Sequence, residues 1–401
     1  MEMLQPKLRF PEFEGDWQNT LLDDISVRGS GHTPNKKFEN YYNGDIKWVS
    51  LADSKNLDKG YIEKTLYEIS TDGLKNSSAV LHPKETVILS RDAGVGKSAV
   101  MKTDMAVSQH FIVWKPIENR LNNWFLYYKL QILKPEFERI AIGNTIKTIG
   151  LPYFKKLSFR IPSIEEQTKI AKFLSSIDEK INLLKEKKAL LEEYKKGMMQ
   201  KIFNQEIRFK DDNGNDFEEW EEKTLGEVGE IITGKTPSTS DADLWNGDIQ
   251  FITPTDIKEG LKYQEKCERN VSFNYKLKIL PSKSIIYTCI ASIGKMSLSL
   301  FPCITNQQIN ALVPHKNFDN EYIYYSLLYI TPFIKSTQTN TTLPIINKTE
   351  FSKFIIRVSC LSEQTKIANF LSAIDEKIAL VATQIKDMHE YKKGLLQQMF
   401  V

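Results

Sequence analysis

"EQTKIAKFLSSIDEKI" fills Glu166–Ile181, and "EQTKIANFLSAIDEKI" fills Glu363–Ile378. Only Lys172/Asn369 and Ser176/Ala373 differ between the two copies. The offset of 197 holds further on, where "YKKGMMQKIF" (194–203) returns as "YKKGLLQQMF" (391–400). A repeat of this length decides the fold before any single element does. The question is what makes these stretches so alike when the sequence between them is not.

Both copies read as long helices. Ile170, Leu174, Ile177, Ile181, Leu184, Leu191, Met198 and Ile202 follow the alternating four-and-three spacing of a coiled-coil seam. Ile367, Leu371, Ile374, Ile378, Val381, Ile385, Met388, Leu395 and Met399 keep the same rhythm. Lys188 and Lys195 interrupt the first seam and Lys392 the second, while Lys and Glu fill the outer face. Each helix should run about 36 residues, or ~54 Å. A helix with one apolar stripe must hide it, and the other copy is the nearest partner. An antiparallel pairing within the chain is expected.

Upstream of the helices the copies still align, more loosely. "GHTP" (31–34) answers "GKTP" (234–237), and "NGDIKWVSLAD" (43–53) answers "NGDIQFITPTD" (246–256). "VGKSAV" (95–100) answers "IGKMSL" (293–298), "SQHF" (108–111) answers "NQQI" (306–309), and an "RF" pair at Arg9 returns at Arg208. "DIKWVSL", "TVILSR" and "HFIVWK", with "DIQFITP", "SIIYTCI" and "INALVP", are short, β-rich and bounded by Gly, Asn or Pro, as strands are. "LNNWFLYYKLQI" and "NEYIYYSLLYI" read as helices. The fold class is α+β: two tandem mixed α/β domains, 1–160 and 205–358, each followed by a helical segment, 161–204 and 359–401. The stretch 210–222 is polar and turn-rich and reads as the linker.

At 401 residues, with 41% apolar and 26% charged side chains, the chain can build two cores of ordinary composition. Its start lacks the apolar run of a signal peptide, and no stretch approaches 18 apolar residues, so no membrane span is expected. Four cysteines (267, 289, 303, 360) form neither a zinc pattern nor a disulfide framework, which points to free thiols and a cytoplasmic setting. A net charge of +3 does not decide about nucleic acid, since 54 basic residues can still cluster on one face.

The search for catalytic groups comes back empty. "DAGVGKS" (92–98) lacks the first glycine of a phosphate loop, with Arg91 in its place, and its counterpart "IASIGKM" has no hydroxyl after Lys295. Adjacent Asp178–Glu179 and Asp375–Glu376 point about 100° apart on a helix and cannot flank one bond. The E-x-K triplets at Glu193 and Glu390 sit on helices, and the five histidines show no ligand or triad spacing. No metal site is expected, and no cofactor bound by this chain.

Binding chemistry remains. Lys36, Lys37, Ser50, Asp53, Arg91, Lys97, Gln109, His110, Asn144 and Lys147 stand at predicted strand ends and loops of the first domain. Lys235, Thr253, Thr255, Asp256, Lys295, Asn306, Gln307, Gln308, Asn340 and Thr341 do so in the second. Such groups can reach base edges or phosphates; any one of them can equally be an ordinary loop residue satisfying nearby backbone.

The duplicated domain-plus-helix plan, with G-x-T-P, N-G-D-I, I/V-G-K and the doubled E-Q-T-K-I-A helix opening, resembles the specificity subunit of type I restriction–modification enzymes across essentially the whole chain. The resemblance implies two target-recognition domains held apart by an antiparallel coiled coil, each reading one half of a bipartite double-stranded DNA sequence. It implies two modification (methyltransferase) subunits and two restriction subunits as partners, with S-adenosylmethionine, ATP and Mg²⁺ bound there. The near-identical helices are then expected to give two copies of one partner the same docking surface. A coiled-coil scaffold for a non-DNA ligand is the competing reading, separated by whether the purified chain holds duplex DNA in a salt-sensitive, sequence-dependent way.

Overall fold

A computed structural model of the chain describes residues 5–92, 94–143, 147–273, 277–338 and 344–401. Two compact units emerge, and one of them joins two distant pieces of sequence. Unit 1 is 1–185 together with 383–401; unit 2 is 186–382. Each long helix, Ile164–Phe203 and Leu361–Met399, begins in one unit and ends in the other.

In unit 1 the described strands are β1 (Gln18–Leu21), β2 (Ser26–Ser30), β3 (Tyr42–Val49), β4 (Tyr61–Ile62), β5 (Tyr67–Ile69), β6 (Leu81–His82), β7 (Val87–Ser90), β8 (Ser98–Met101), β9 (Met105–Val107), β10 (Phe111–Pro116) and β11 (Ser158–Ile161). They form sheets ordered β2-β10-β7-β8-β4 and β5-β3-β9-β6, plus the pair β1-β11. Strand periodicity explains the core. Val87, Leu89, Val100, Ile112 and Trp114 face the helix Asn123–Ile140, while Ile88, Ala99, Met101 and Val113 face Val49 and Val107 of the second sheet. The middle of the first sheet is covered on both sides, so β7 and β8 are buried at every residue.

The repeated motifs acquire reasons here. Asn43, at φ 57°, starts a bulge that shifts the β3–β5 register between Tyr42 and Ile46. Gly96, at φ +81°, makes the tight β7–β8 turn, so "VGK" is a hairpin turn and not a phosphate loop.

The long helices close this core from two directions in sequence. Gln167 accepts from the Asn122 N–H at 2.9 Å, at the start of the helix Asn123–Ile140. Phe400 stacks on Phe125 there, with centroids 5.0 Å apart. One turn further on, Asp178 accepts from the Tyr128 hydroxyl at 2.8 Å and from the Lys392 ammonium at 2.5 Å. As one helix runs from 167 to 178, the other runs from 400 to 392: the pairing is antiparallel. Buried Ile170, Leu174, Ile177 and Ile181 share the core with Leu395, Met399 and Phe400. Leu184 is only half-buried and Met388 lies at the core's margin. Lys129, buried in the same region, has its ammonium 2.5 Å from the Val401 carbonyl oxygen, and burial lowers its pKa to about 8.

Unit 2 repeats the plan. Its described strands are β12 (Glu221–Thr224), β13 (Gly229–Thr233), β14 (Trp245–Ile252), β15 (Tyr263–Gln264), β16 (Arg269–Val271), β17 (Ile285–Thr288), β18 (Met296–Ser299), β19 (Cys303–Thr305), β20 (Ile309–Pro314) and β21 (Ile355–Val358). Sheets run β13-β20-β17-β18-β15 and β16-β14-β19, with β12-β21 apart. The counterpart of β6 shrinks to one bridge, Leu280 to Cys303. Asp375 accepts from Tyr325 and Lys195, both at 2.6 Å, and Phe203 stacks on Tyr329 of the helix Asn320–Ser336. Ile367, Leu371 and Ile374 are buried with Ile202 and Phe203, and Ile378 packs at the margin. Val381 is buried and Leu191 half-buried. The four cysteines are free thiols.

Two expectations change. The lysines read as interruptions of the seams at 195 and 392 are part of the pairing, because each supplies the cation for a carboxylate of the repeat. The stretch 210–222, read as the linker between units, lies within unit 2. Asp211 closes a turn by accepting from the N–H groups of Asn213 and Asn215, and Arg208 ties the segment down by donating to the carbonyls of Phe217 and Glu218 and to the buried Glu363.

Asp178→Ala leaves a Tyr hydroxyl and a Lys ammonium without their acceptor and should cost about 1–3 kcal/mol. Ile177→Asp, which buries a carboxylate in the core, should cost several kcal/mol. Urea unfolding of the two variants checks both; an unchanged midpoint for either would mean the helices do not close unit 1 in this way.

Candidate nucleic-acid interface

The loop after β9 and the loop after β2 meet in unit 1. Gly31 allows it, since a Cβ there would lie 1.6 Å from the Val107 carbonyl oxygen. The contact sets Thr33 beside Gln109, whose carboxamide oxygen accepts from the Thr33 hydroxyl at 2.6 Å. In unit 2, Gly234 plays the same part against Asn306 and Thr305, and Thr236 donates to the Gln307 oxygen at 2.7 Å. The G-x-T-P motif is therefore a device for holding one exposed glutamine in a fixed orientation. With the oxygen engaged on one side, an N–H of the NH₂ group and the second lone pair remain for a ligand.

The residue after each glutamine, His110 or Gln308, is held by different neighbours. His110 Nδ1 lies 2.5 Å from Asp92 Oδ2, so this nitrogen carries the proton, and the other ring nitrogen is 3.4 Å from Gln109 Nε2. Thr148 donates to the other Asp92 oxygen. In unit 2 Asn306 holds Gln308, the counterpart of His110: it donates to Gln308 Oε1 at 3.0 Å and accepts from the Gln308 N–H at 3.1 Å.

Thr33, Gln109 and His110 line a cleft of about 700 Å³, with Lys36, Trp48, Ser50 and Tyr67 on its other walls. Lys37 is exposed nearby. Lys235 lines a smaller cleft of about 330 Å³ in unit 2 with Lys278 and Lys348.

Other candidates serve the scaffold. Asp53 is fully buried, accepting from the Ser50 N–H at 2.9 Å and hydroxyl at 3.2 Å and from the Leu66 N–H at 2.8 Å. It cannot reach a base. Asp256 repeats this with the Thr253 N–H, the Thr253 hydroxyl and the Glu268 N–H, and Thr253 also meets the Thr255 hydroxyl at 2.8 Å. These boxes fix the turn that follows each central strand. Lys97 donates to the Ser54 carbonyl at 3.3 Å, and Arg91 Nε lies 3.7 Å from Asp92. Lys295 is half-buried in the β17–β18 turn, with its N–H on Thr288. Lys147 is exposed; Asn144, Asn340 and Thr341 lie outside the described residues. The sequence reading missed Thr33 and Thr236 as individual residues, and it missed Asp92, although the G-x-T-P repeat was the signal for the threonines. Among the described residues no group of three or more His, Cys, Asp or Glu could hold a metal ion.

The family model for the type I restriction modification DNA specificity domain matches residues 14–193 and again 217–388. The chain belongs to this family. It is similar to the type I restriction enzyme MjaIX specificity subunit of Methanocaldococcus jannaschii, at 24% identity over 96% of this chain and 92% of that protein. The HindI specificity subunit of Haemophilus influenzae is 35% identical over 34% of this chain and 31% of its own. The crystal structure of the S subunit of a type I restriction–modification system from M. genitalium shares the fold, with a TM-score of 0.62 at 17% identity over 99% of both chains. In this family member each threonine-held glutamine is an oriented, exposed hydrogen-bonding group. No helix is long and apolar enough to cross a membrane among the described residues.

Asp53→Ala removes the acceptor of three hydrogen bonds and should lower stability by about 2–4 kcal/mol while leaving the recognised sequence unchanged. Gln109→Ala should leave stability within about 0.5 kcal/mol and weaken discrimination at one base pair. Thermal melts together with mapping of methylated motifs separate the two; the opposite pattern would reverse the assignment of scaffold and reader.

Proposed function

We propose that the chain is the sequence-reading, non-catalytic subunit of a type I restriction–modification complex, each unit reading one half of a bipartite duplex target. The observation that carries this reading is the pair of equivalent glutamines, Gln109 and Gln307, each exposed and each held by a threonine. A carboxamide in fixed orientation suits the major groove, where glutamine pairs with adenine and every base pair presents its own donor and acceptor pattern. Lys36, Lys37, Lys235 and Lys348 supply charge for phosphates, which position the protein without specifying sequence.

Methyl transfer and cleavage fall to partners, two modification and two restriction subunits, which bring S-adenosylmethionine, ATP and Mg²⁺. Glu179, Lys180 and Tyr194 are exposed on the first helix, as Glu376, Lys377 and Tyr391 are on the second. This repeated outer set, rather than the inward Glu166, Gln167 and Asp178, gives two modification subunits the same face to dock on. A family built on DNA specificity, matched in both halves, weighs against a scaffold for a non-DNA ligand.

Residues 1–158 can be replaced by the matching domain of a relative that keeps the counterparts of Arg9 and Tyr128. Mapping methylated motifs in cells carrying the assembled complex should then show one half-site changed and the other retained. A change in both halves, in assembled protein, would overturn the assignment of one unit to one half-site. A native chain that directs no sequence-specific methylation with its partners would overturn the function itself.

A further inference from the structure

The two units carry the same central strand pair but not the same group at its reading end. In unit 1, β3 pairs Trp48 with Tyr67 of β5, and Tyr67 lines the cleft that holds Gln109. In unit 2 the matching pair is Phe251 of β14 with Arg269 of β16. Ile252 pairs with Thr305 of β19, so Arg269 lies at the sheet end where Thr253, Asn306 and Gln307 follow. An arginine thus stands at the same end of the sheet as the second reading glutamine, where the first unit has a phenol.

This arginine is pre-positioned. Its guanidinium carbon sits 3.6 Å from the centroid of the Trp245 indole ring, while the residue as a whole remains exposed. Trp245 is fixed in turn, donating its ring N–H to the Ser238 carbonyl at 3.0 Å and meeting Phe251 edge-on at 5.3 Å. Among the described residues no carboxylate forms an ion pair with Arg269. Stacking covers a face of the guanidinium and leaves its in-plane N–H donors available as a rigid fork. In the major groove that fork matches guanine, whose O6 and N7 accept side by side. A phosphate contact alone would not need the plane held; a base edge does.

We propose that Arg269 reads a guanine in the half-site bound by unit 2, and that unit 1 makes no such contact from the equivalent position. The inference rests on the DNA-reading function proposed above.

The test is methylation mapping in cells expressing the full chain with its modification subunits. The half-site of unit 2 is the one retained in the 1–158 replacement. The native chain should require a guanine there. Arg269→Ala should make that position degenerate, with discrimination falling roughly ten- to hundredfold, and leave every other position unchanged. Arg269→Lys should relax it as well, because an ammonium is not a fork. Tyr67→Ala should leave the guanine requirement intact. If methylation by a variant is too sparse to map, sequences bound by the purified complex from a randomised duplex pool read the same position.

An unchanged motif with uniformly weaker binding would mean a phosphate contact and would overturn the proposal. So would a change confined to the other half-site. A native chain that selects no sequence in either assay would remove the DNA-reading function, and this assignment with it; sequence selection that ignores Arg269 would remove this assignment alone.

Discussion

Asp178 holds two partners at once, the Tyr128 hydroxyl of its own domain and the Lys392 ammonium from the far end of the sequence. Asp375 does the same with Tyr325 and Lys195. This cross-over is the constraint on which the rest of the structure depends. Neither core is complete without a helix end that the chain supplies from elsewhere. Leu395, Met399 and Phe400 are buried in unit 1, as Ile202 and Phe203 are in unit 2. At about 1.5–3 kcal/mol for each buried side chain, three such residues contribute on the order of 5 kcal/mol, comparable to the whole stability of a domain. The two helices must therefore offer the same residues twice, once at each beginning and once at each end. That is why Glu166–Ile181 and Glu363–Ile378 are so nearly the same.

The cross-over also frees the rest of each domain to diverge. Glu166 takes Arg9, and Gln167 takes the helix start at Asn122; Glu363 and Gln364 do the same with Arg208 and Asp319. With the domain anchored at one end, the loops at the ends of β3, β9, β14 and β19 can change without loss of the core. The kept elements there are those that aim a side chain: the glycine that admits a close loop, the threonine that orients a glutamine, and the buried aspartate that fixes a turn. The changed elements are those that a ligand would meet, such as His110 against Gln308 and Tyr67 against Arg269.

Much of this was legible because it is periodic or repeated. The seam spacing located both helices, and the short apolar runs located the strands. Apolar periodicity says that a stripe is buried but not against what, so the make-up of each unit from two distant helix segments could not be read from it. That the first residues of the doubled helix opening are buried could not be read for the same reason. Glu166, Gln167, Glu363 and Gln364 are charged or polar, yet at most 1% exposed, because their partners are backbone groups and arginines remote in sequence. The polar candidates were ambiguous in the opposite sense. Ser50 and Asp53 look no different in sequence from Gln109, and only the hydrogen bonds separate a turn lock from an exposed reader. Arg269 was missed because the repeat loosens around it and the stacking Trp245 lies 24 residues away in sequence.

Amide hydrogen exchange on a chain lacking residues 383–401 tests the cross-over most directly. The account predicts that protection collapses in 1–161, more than 200 residues away in sequence from the deletion, while 205–358 keeps its native protection. Native protection in 1–161, or a loss centred instead on 205–358, would contradict it.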